Sequence, residues 1–202
     1  LGVVLDPLQR ERLERYWMLL LRWNRSINLV ARTDTAAFQW RHILDSLVLA
    51  PFLESTASAG APLASLADLG SGGGLPGLVL ACVQPERRVE LIEPVGRKAA
   101  FLRRAAADLE LARVRVHPCR ADAAAFDPVD VITARAVAPL SRLLAWSMPH
   151  LGVGGRFLFL KGRGYAAELE ALLETVHLVA AHERRPAPAG RPASVIERSR
   201  GS

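Results

Sequence analysis

The sequence predicts an α/β protein built on a doubly wound, mostly parallel sheet, and three features support this fold class. Short apolar strand segments alternate with helical segments over most of the chain, a rhythm typical of a parallel sheet with helices on both faces. The first predicted strand runs into ADLGSGGGLPG at 67–77, hereafter the glycine loop. The last two predicted strands are joined by a proline-rich loop and not by a helix, which predicts a terminal antiparallel hairpin at the sheet edge.

Composition divides the chain into three predicted parts. Residues 1–54 form an N-terminal helical extension, residues 55–65 form a linker, and residues 66–202 form the sheet domain. The linker sequence, STASAGAPLAS, is small and polar, as flexible connections are.

The extension is predicted to hold two helices. Asp6 and Pro7 form a typical helix start, and apolar residues recur at helical spacing from there to about position 25. A second helix is expected to be capped by Asp34 or Thr35 and to end before Pro51.

The sheet domain is predicted to contain seven strands and four helices. The strands are expected at 65–69, 88–93, 114–118, 130–135, 155–162, 176–183 and 193–198. The helices are expected at 75–83, 96–109, 140–150 and 165–174.

Composition and charge narrow the class of protein. The chain of 202 residues is half hydrophobic, with a net charge of +6 and a pI of about 10.3. This charge suits nucleic acid, although a genome-wide bias toward arginine would produce it as well. Cys82 and Cys119 fit neither a metal-ligand spacing nor a disulfide framework, so no metal site is predicted. No signal peptide or membrane-length apolar run is found, and we expect a cytoplasmic protein.

The glycine loop indicates a ligand that approaches the backbone closely. Its residues from Gly72 to Gly77 fit G-x-G-x-x-G, the dinucleotide-binding pattern, with Glu93 at a suitable distance to hold a ribose. Glycine-dense loops satisfy many patterns, so this match does not by itself select a cofactor. A Walker loop is excluded, because it ends in Lys-Ser or Lys-Thr.

Asp68 favours S-adenosylmethionine over a dinucleotide. It stands two residues before Gly70, where a carboxylate would repel a pyrophosphate but attract the cationic sulfonium and amino groups of S-adenosylmethionine. The cofactor's own carboxylate suits the N–H groups that open the next helix. Glu93 would accept from the ribose hydroxyls and Asp122 from the adenine amino group. The alternative for Asp68 is a carboxylate that caps the helix or braces the loop.

Six motifs resemble one family, the bacterial 16S ribosomal RNA guanine-N7 methyltransferases called small-subunit methyltransferase G or glucose-inhibited division protein B. The similarity spans about 13–162, and RHILDSL is its most specific segment, because an ordinary core helix need not carry Arg, His, Asp and Ser together. The motifs are WNRSINLVA at 23–31, RHILDSL at 41–47, DLGSGGGLPG at 68–77, EPVGRKAAFLR at 93–103, TARAVAPL at 133–140 and FLKG at 159–162. The final segment, RPASVIERSR, departs from the family pattern.

The resemblance implies a Rossmann-like class I methyltransferase domain that follows a helical extension, with S-adenosyl-L-methionine as cofactor. It also implies a guanosine of small-subunit 16S RNA as substrate. Together, the glycine pattern and the resemblance predict cofactor contacts at Asp68, Gly70, Gly72, Gly74, Leu75, Glu93, Ala121, Asp122 and Arg135.

The predicted chemistry needs no general base. Guanine N7 offers a lone pair without a proton, so in-line displacement at the methyl carbon depends mainly on positioning. Arg135, at the end of the fourth strand, is the predicted catalytic residue that orients the site; a salt bridge is its alternative. Arg41 and His42 are candidates for RNA contact, with helix bracing equally open. Lys161 is a candidate for a phosphate contact or a solvated lysine.

The sequence leaves two other functions open. A methyltransferase of small molecules would act on a metabolite without RNA, and an RNA-binding module would keep the cofactor pocket only as structure. An NAD-linked oxidoreductase is disfavoured by Asp68. We expect a monomer, with either naked RNA or the assembling small subunit as substrate.

Overall fold

The computed structural model describes residues 4–30, 36–54, 64–135, 137–162, 164–173, 179–181 and 193–197. Its helices are α1 (Pro7–Asn24), α2 (Ala36–Leu47), α3 (Ala50–Glu54), α4 (Gly77–Val83), α5 (Gly96–Asp108), α6 (Leu140–Ser147) and α7 (Tyr165–Leu173). Its strands are β1 (Leu66–Leu69), β2 (Val89–Ile92), β3 (Val114–His117), β4 (Val129–Arg135), β5 (Leu151–Leu160), β6 (Val179–Ala181) and β7 (Ala193–Glu197).

The strands form one sheet in the order β3-β2-β1-β4-β5-β7-β6. The first five strands in this order are parallel, and Asp68 of β1 lies level with Leu91 of β2 and Thr133 of β4. β7 pairs antiparallel with both β5 and β6. This arrangement confirms the predicted fold class, including the antiparallel hairpin at the end of the sheet.

Helices cover both faces of the sheet because its buried strands are apolar on both sides. Buried residues of α1 to α5 share one core with Leu66, Val131 and other strand residues, whereas residues of α6 and α7 share a second core with Ala67 and Ile132. Side chains alternate between the two faces along each strand. Asp68 and Thr133 therefore point to the same face as Leu66 and Val131, the face on which α4 lies, with α1 and α2 packed against α4.

The start of α1 is formed as the sequence predicts. The Asp6 side chain accepts from the Gln9 N–H, the Gln9 side chain accepts from the Asp6 N–H, and Pro7 opens the helix. Each of these features satisfies or removes a backbone donor that a helix start leaves without a partner. α1 then buries Leu13 and Tyr16 among its core-facing residues.

α2 ends at Leu47, before Pro51 as predicted. Pro51 lies in the first turn of a short third helix, α3, which the sequence does not predict, and its missing N–H costs nothing there. The predicted end of the helix at 140–150 is wrong. α6 stops at Ser147 and is followed by a 3-10 turn over Met148–His150, because Pro149 supplies no N–H for a continuing helix. The predicted cap at Asp34 or Thr35 and most of the predicted linker lie outside the described residues.

Two predicted starts also shift. α4 begins at Gly77 and not at 75, after a series of turns. β5 begins at Leu151 and not at 155, with a register shift against Val129 and Val131 of β4. This register shift is a β-bulge or similar irregularity. Gly154 lies in the part of β5 before residue 155, and its φ of +78° is in the left-handed region that glycines in β-bulges adopt. Within the described part of the chain, none of the helices has the length and apolar content of a membrane-crossing segment.

Candidate active site

The glycine loop lies between the carboxyl end of β1 and the start of α4, where ligands of doubly wound sheets bind. Gly70, Gly72 and Gly74 have φ values of +68°, +56° and +91°. Residues other than glycine rarely adopt this left-handed region. A Cβ on Gly77 would lie 2.8 Å from Asp68 Oδ2, so the start of α4 packs directly on that carboxylate. Glycines at these positions let the backbone turn tightly.

Asp68 is fully buried beneath the glycine loop. Its Oδ1 accepts from the Thr133 hydroxyl at 2.9 Å, and its Oδ2 accepts from the Gly77 N–H at 3.1 Å. Burial raises the pKa of Asp68 to about 6, although the hydrogen bonds from Thr133 and Gly77 oppose the shift. The carboxylate therefore braces the loop, as its alternative role predicts, and the cofactor contact of Asp68 stays a prediction.

Glu93 holds the other side of the loop. It follows β2, is 4% exposed, and accepts from the Gly72 N–H and the Val95 N–H, both at 2.8 Å. Each carboxylate oxygen has a second lone pair, so these bonds leave Glu93 capacity for the ribose hydroxyls that the sequence predicts.

Asp122 differs from the two buried carboxylates. It lies exposed in the 3-10 turn Ala121–Ala123, and both of its oxygens accept from Arg120, at 3.1 and 3.0 Å. The hydrogen bond from Arg120 lowers the pKa of Asp122. Ala121 packs partly buried against the second core. The adenine contact predicted for this turn remains a prediction.

Arg135 and His42 meet at the carboxyl end of β4. Arg135 Nη1 lies 3.2 Å from His42 Nδ1. A guanidinium can only donate, so Nδ1 accepts and the ring proton is assigned to Nε2. The sequence predicts separate roles for these two residues, one in catalysis and one in RNA contact, and does not predict their contact. Arg41 is half-buried on the same helix, and its RNA contact stays a prediction.

Lys161 lies at the end of β5 in a network of hydrogen bonds. Its Nζ donates to the Ala138 carbonyl at 2.9 Å and lies 2.7 Å from Glu168 Oε2, which also accepts from the Leu140 N–H at 2.8 Å. The lysine side chain is only 10% exposed. The expectation of a solvated lysine is wrong, because the ion pair ties the end of β5 to α7, and Glu168 in turn joins α7 to the start of α6. A phosphate contact by Lys161 stays a prediction.

Two residues that hold the site are not predicted from the sequence. Thr133 bonds Asp68, and the hydroxyl of Tyr16 donates to the Gly73 carbonyl at 2.7 Å. Both side chains are fully buried. A signal was present in each case, since a hydroxyl on an apolar strand or helix face needs a buried partner. The partner itself depends on tertiary contacts.

The glycine loop and the carboxylates of Asp68 and Glu93 fit S-adenosylmethionine. The loop turns its backbone through glycines, Glu93 offers carboxylate oxygens for a ribose, and Asp68 offers negative charge beside the loop. A Cβ on Gly72 would meet only the Gly70 carbonyl, at 3.8 Å. The backbone at Gly72 therefore has open space where a side chain would stand, and a ligand could lie close to it.

Comparison with solved structures identifies the class. The magnesium protoporphyrin IX methyltransferase from Synechocystis, solved with bound S-adenosylmethionine, matches with a TM-score of 0.62 at 13% identity, over 98% of each chain. A likeness at this identity shows the fold alone. That fold, with a glycine loop after β1, is the fold of class I S-adenosylmethionine-dependent methyltransferases.

The family model described as GidB, rRNA small subunit methyltransferase G, matches residues 9–187. The ribosomal RNA small subunit methyltransferase G of Halorhodospira halophila is 44% identical over 95% of this chain and 88% of its own length. The protein of the same name from Paramagnetospirillum magneticum is 45% identical over 99% of this chain and 93% of its own. The chain belongs to the rRNA small subunit methyltransferase G family, whose members are enzymes that take the methyl group from S-adenosylmethionine.

Proposed function

We propose that this enzyme transfers the methyl group of S-adenosylmethionine to N7 of a guanosine in the 16S RNA of the cytoplasmic small ribosomal subunit. The observation that carries the proposal is the pair formed by Arg135 and His42 at the end of β4. Family membership supports small-subunit RNA as the substrate. The chemistry of the Arg135–His42 pair supports N7 as the methylated atom of the guanine.

Arg135 suits the edge of guanine that carries N7. Guanine presents O6 and N7 as adjacent acceptors, and arginine donors match that edge. Arg135 is proposed to donate to O6 and not to N7, because a cation against N7 would oppose the positive charge that develops there during methylation. His42 Nδ1 holds one guanidinium nitrogen at 3.2 Å and so restrains the orientation of the arginine.

The same pair suits a reaction without a general base. His42 Nδ1 is occupied by Arg135, and an arginine stays protonated at any working pH. Neither group is then placed to remove a proton. Guanine N7 has no proton to lose, so displacement in line with the methyl carbon requires orientation alone. The bound cofactor supplies an electrophilic methyl group. Asp68 and Glu93 are proposed to hold the cofactor.

The experiment that tests this proposal is methyl transfer from labelled S-adenosylmethionine to small-subunit RNA from cells that lack the modification. Naked RNA and intact subunits are assayed separately, and the labelled nucleoside is identified after digestion. Labelled 7-methylguanosine at one position is expected. Arg135→Lys, which keeps the charge but loses the planar donor fork, is expected to reduce turnover more than cofactor affinity.

Two other outcomes would overturn the proposal. Cofactor binding without methylation of RNA or of subunits would favour a methyltransferase of small molecules. RNA binding that weakens with salt, without methyl transfer, would favour an RNA-binding module.

A further inference from the structure

We propose that α1 is a working part of the cofactor site, in which Tyr16 acts as a positioning residue that orients the glycine loop through the Gly73 carbonyl. The proposal rests on cofactor binding at this loop and not on the identity of the methylated nucleotide. It gives the N-terminal extension a role in cofactor affinity.

The first observation is the bond itself. Tyr16 is fully buried, and its hydroxyl donates to the Gly73 carbonyl at 2.7 Å across 57 residues of sequence. Gly73 stands between Gly72 and Gly74, which have φ values of +56° and +91°. Consecutive glycines have little intrinsic preference for one conformation, so the bond from Tyr16 adds a restraint that the glycines do not supply themselves.

The second observation is a continuous chain of hydrogen bonds from Tyr16 to Glu93. The peptide that joins Gly73 to Gly74 accepts from Tyr16 at its carbonyl and donates at its N–H to the Ser71 carbonyl, at 2.6 Å. The peptide that joins Ser71 to Gly72 then donates at its own N–H to Glu93, at 2.8 Å. Hydrogen bonds in series polarise and strengthen one another. Tyr16 and Glu93 therefore hold the two ends of one relay through the loop.

The third observation is the packing around Gly73. A Cβ on Gly73 would lie 3.0 Å from Leu20 Cδ1 and 3.5 Å from Leu29 Cβ, so α1 and the segment after it lie directly against this peptide. The buried Asn24 fixes that segment, since its Oδ1 accepts from the N–H groups of Leu29 and Val30. α1 cannot move away without uncovering the loop.

The Tyr16 hydroxyl stays protonated, so it can always donate its hydrogen bond to the Gly73 carbonyl. Burial raises the pKa of Tyr16 well above its ordinary value, and the negative charge of Asp68 acts in the same direction. Arg135 opposes the shift but does not outweigh burial. Tyr16 therefore keeps its proton throughout the working pH range.

The test compares two α1 side chains that each bond a backbone carbonyl of the sheet domain. Tyr16→Phe removes the bond to Gly73 at the cofactor end. Gln9→Met removes the bond from Gln9 Nε2 to the Val83 carbonyl, 2.7 Å long, at the opposite end of α4, together with the Gln9 part of the α1 cap. Calorimetry with S-adenosylhomocysteine measures cofactor affinity, and the melting temperature of each apo protein measures stability.

Tyr16→Phe is expected to weaken S-adenosylhomocysteine binding about five- to tenfold, because it leaves a buried carbonyl without its donor. Gln9→Met is expected to lower the melting temperature at least as much and to leave affinity within about twofold. Equal affinity losses in both variants, or unchanged affinity in Tyr16→Phe, would overturn the proposal.

A double-mutant cycle tests the relay itself. Tyr16→Phe is combined with Glu93→Gln, and the double variant is expected to lose less affinity than the two single effects multiplied, since each variant breaks the same chain. Effects that simply multiply would overturn the relay. Wild-type protein that fails to bind S-adenosylhomocysteine would instead overturn the proposed function, so the two failures are distinguishable.

Discussion

Predicted cofactor carboxylates lie beside Gly72 and Gly77 of the glycine loop and in the turn after β3, but only those at the loop are buried. Asp68 and Glu93 are 0% and 4% exposed, and each accepts from a backbone N–H of the loop or of α4. Asp122 is exposed and paired with its neighbour Arg120. We therefore expect the predicted ribose and methionine end of the site to be formed before the cofactor arrives. At the predicted adenine end, Asp122 would have to exchange its ion pair with Arg120 for the ligand, and we expect a smaller contribution to affinity for that reason.

The largest expected effect follows from Asp68→Asn. Asparagine offers one acceptor oxygen, so either the Thr133 hydroxyl or the Gly77 N–H loses its partner, and the negative charge disappears as well. S-adenosylmethionine affinity is expected to fall about thirtyfold or more, measured by calorimetry. Asp127→Asn, at an exposed position, serves as the control. Equal affinity in the two variants would show that the brace at Asp68 does not matter for binding.

Glu93→Gln is expected to weaken binding about tenfold. The amide keeps only one acceptor oxygen for the N–H groups of Gly72 and Val95. The matched control is Glu86→Gln, because the Glu86 side chain is 77% exposed. A loss confined to catalysis, with unchanged affinity for the cofactor, would contradict this role.

Asp68 also predicts a pH dependence that separates two ligands. Its pKa in the folded protein is raised to about 6, so its negative charge is present at pH 7 and is lost as the pH falls through that value. The preference for S-adenosylmethionine over S-adenosylhomocysteine, which lacks the sulfonium charge, is expected to fall up to about tenfold between pH 7 and about pH 5. In Asp68→Asn, the ratio of the two dissociation constants is expected not to change with pH. A wild-type ratio that is flat over this range would exclude Asp68 as the group that attracts the sulfonium.

The smallest effect is expected for Asp122→Asn. The carboxylate is exposed, so its loss removes one ion pair with Arg120 and leaves the turn in place. Affinity for the cofactor is expected to change less than about threefold. A loss as large as that of Glu93→Gln would mean that the turn closes over the adenine and becomes buried on binding.

The sequence was sufficient for the sheet, for the hairpin at its end and for the carboxylates beside the glycine loop. Those features rest on local signals: alternation of strands and helices, glycine density and the position of Asp68. The partners of the same groups lie far along the chain, at Thr133 for Asp68 and at Gly73 for Tyr16. Local patterns carry no information on contacts across 57 or 65 residues, so these contacts needed the structure.

Helix boundaries show the same limit. Pro51 predicts the end of a helix, but proline is equally suited to the first turn of a new helix. Only the packing of α3 decides between the two. The sequence also allows an exposed, solvated side chain at Lys161. The structure instead places Glu168 and the Ala138 carbonyl beside its Nζ.

The position of β3 at the rim of the sheet has a consequence for self-association. A rim strand exposes a row of unpaired backbone groups, which invites pairing with a second molecule and eventually aggregation. β3 has only four residues, and Arg115 stands exposed in the middle of it. His117, at its end, is engaged by the buried Glu90 at 2.7 Å. The rim thus presents a short strand that carries an exposed charged side chain, two features that oppose edge-to-edge pairing with a second molecule.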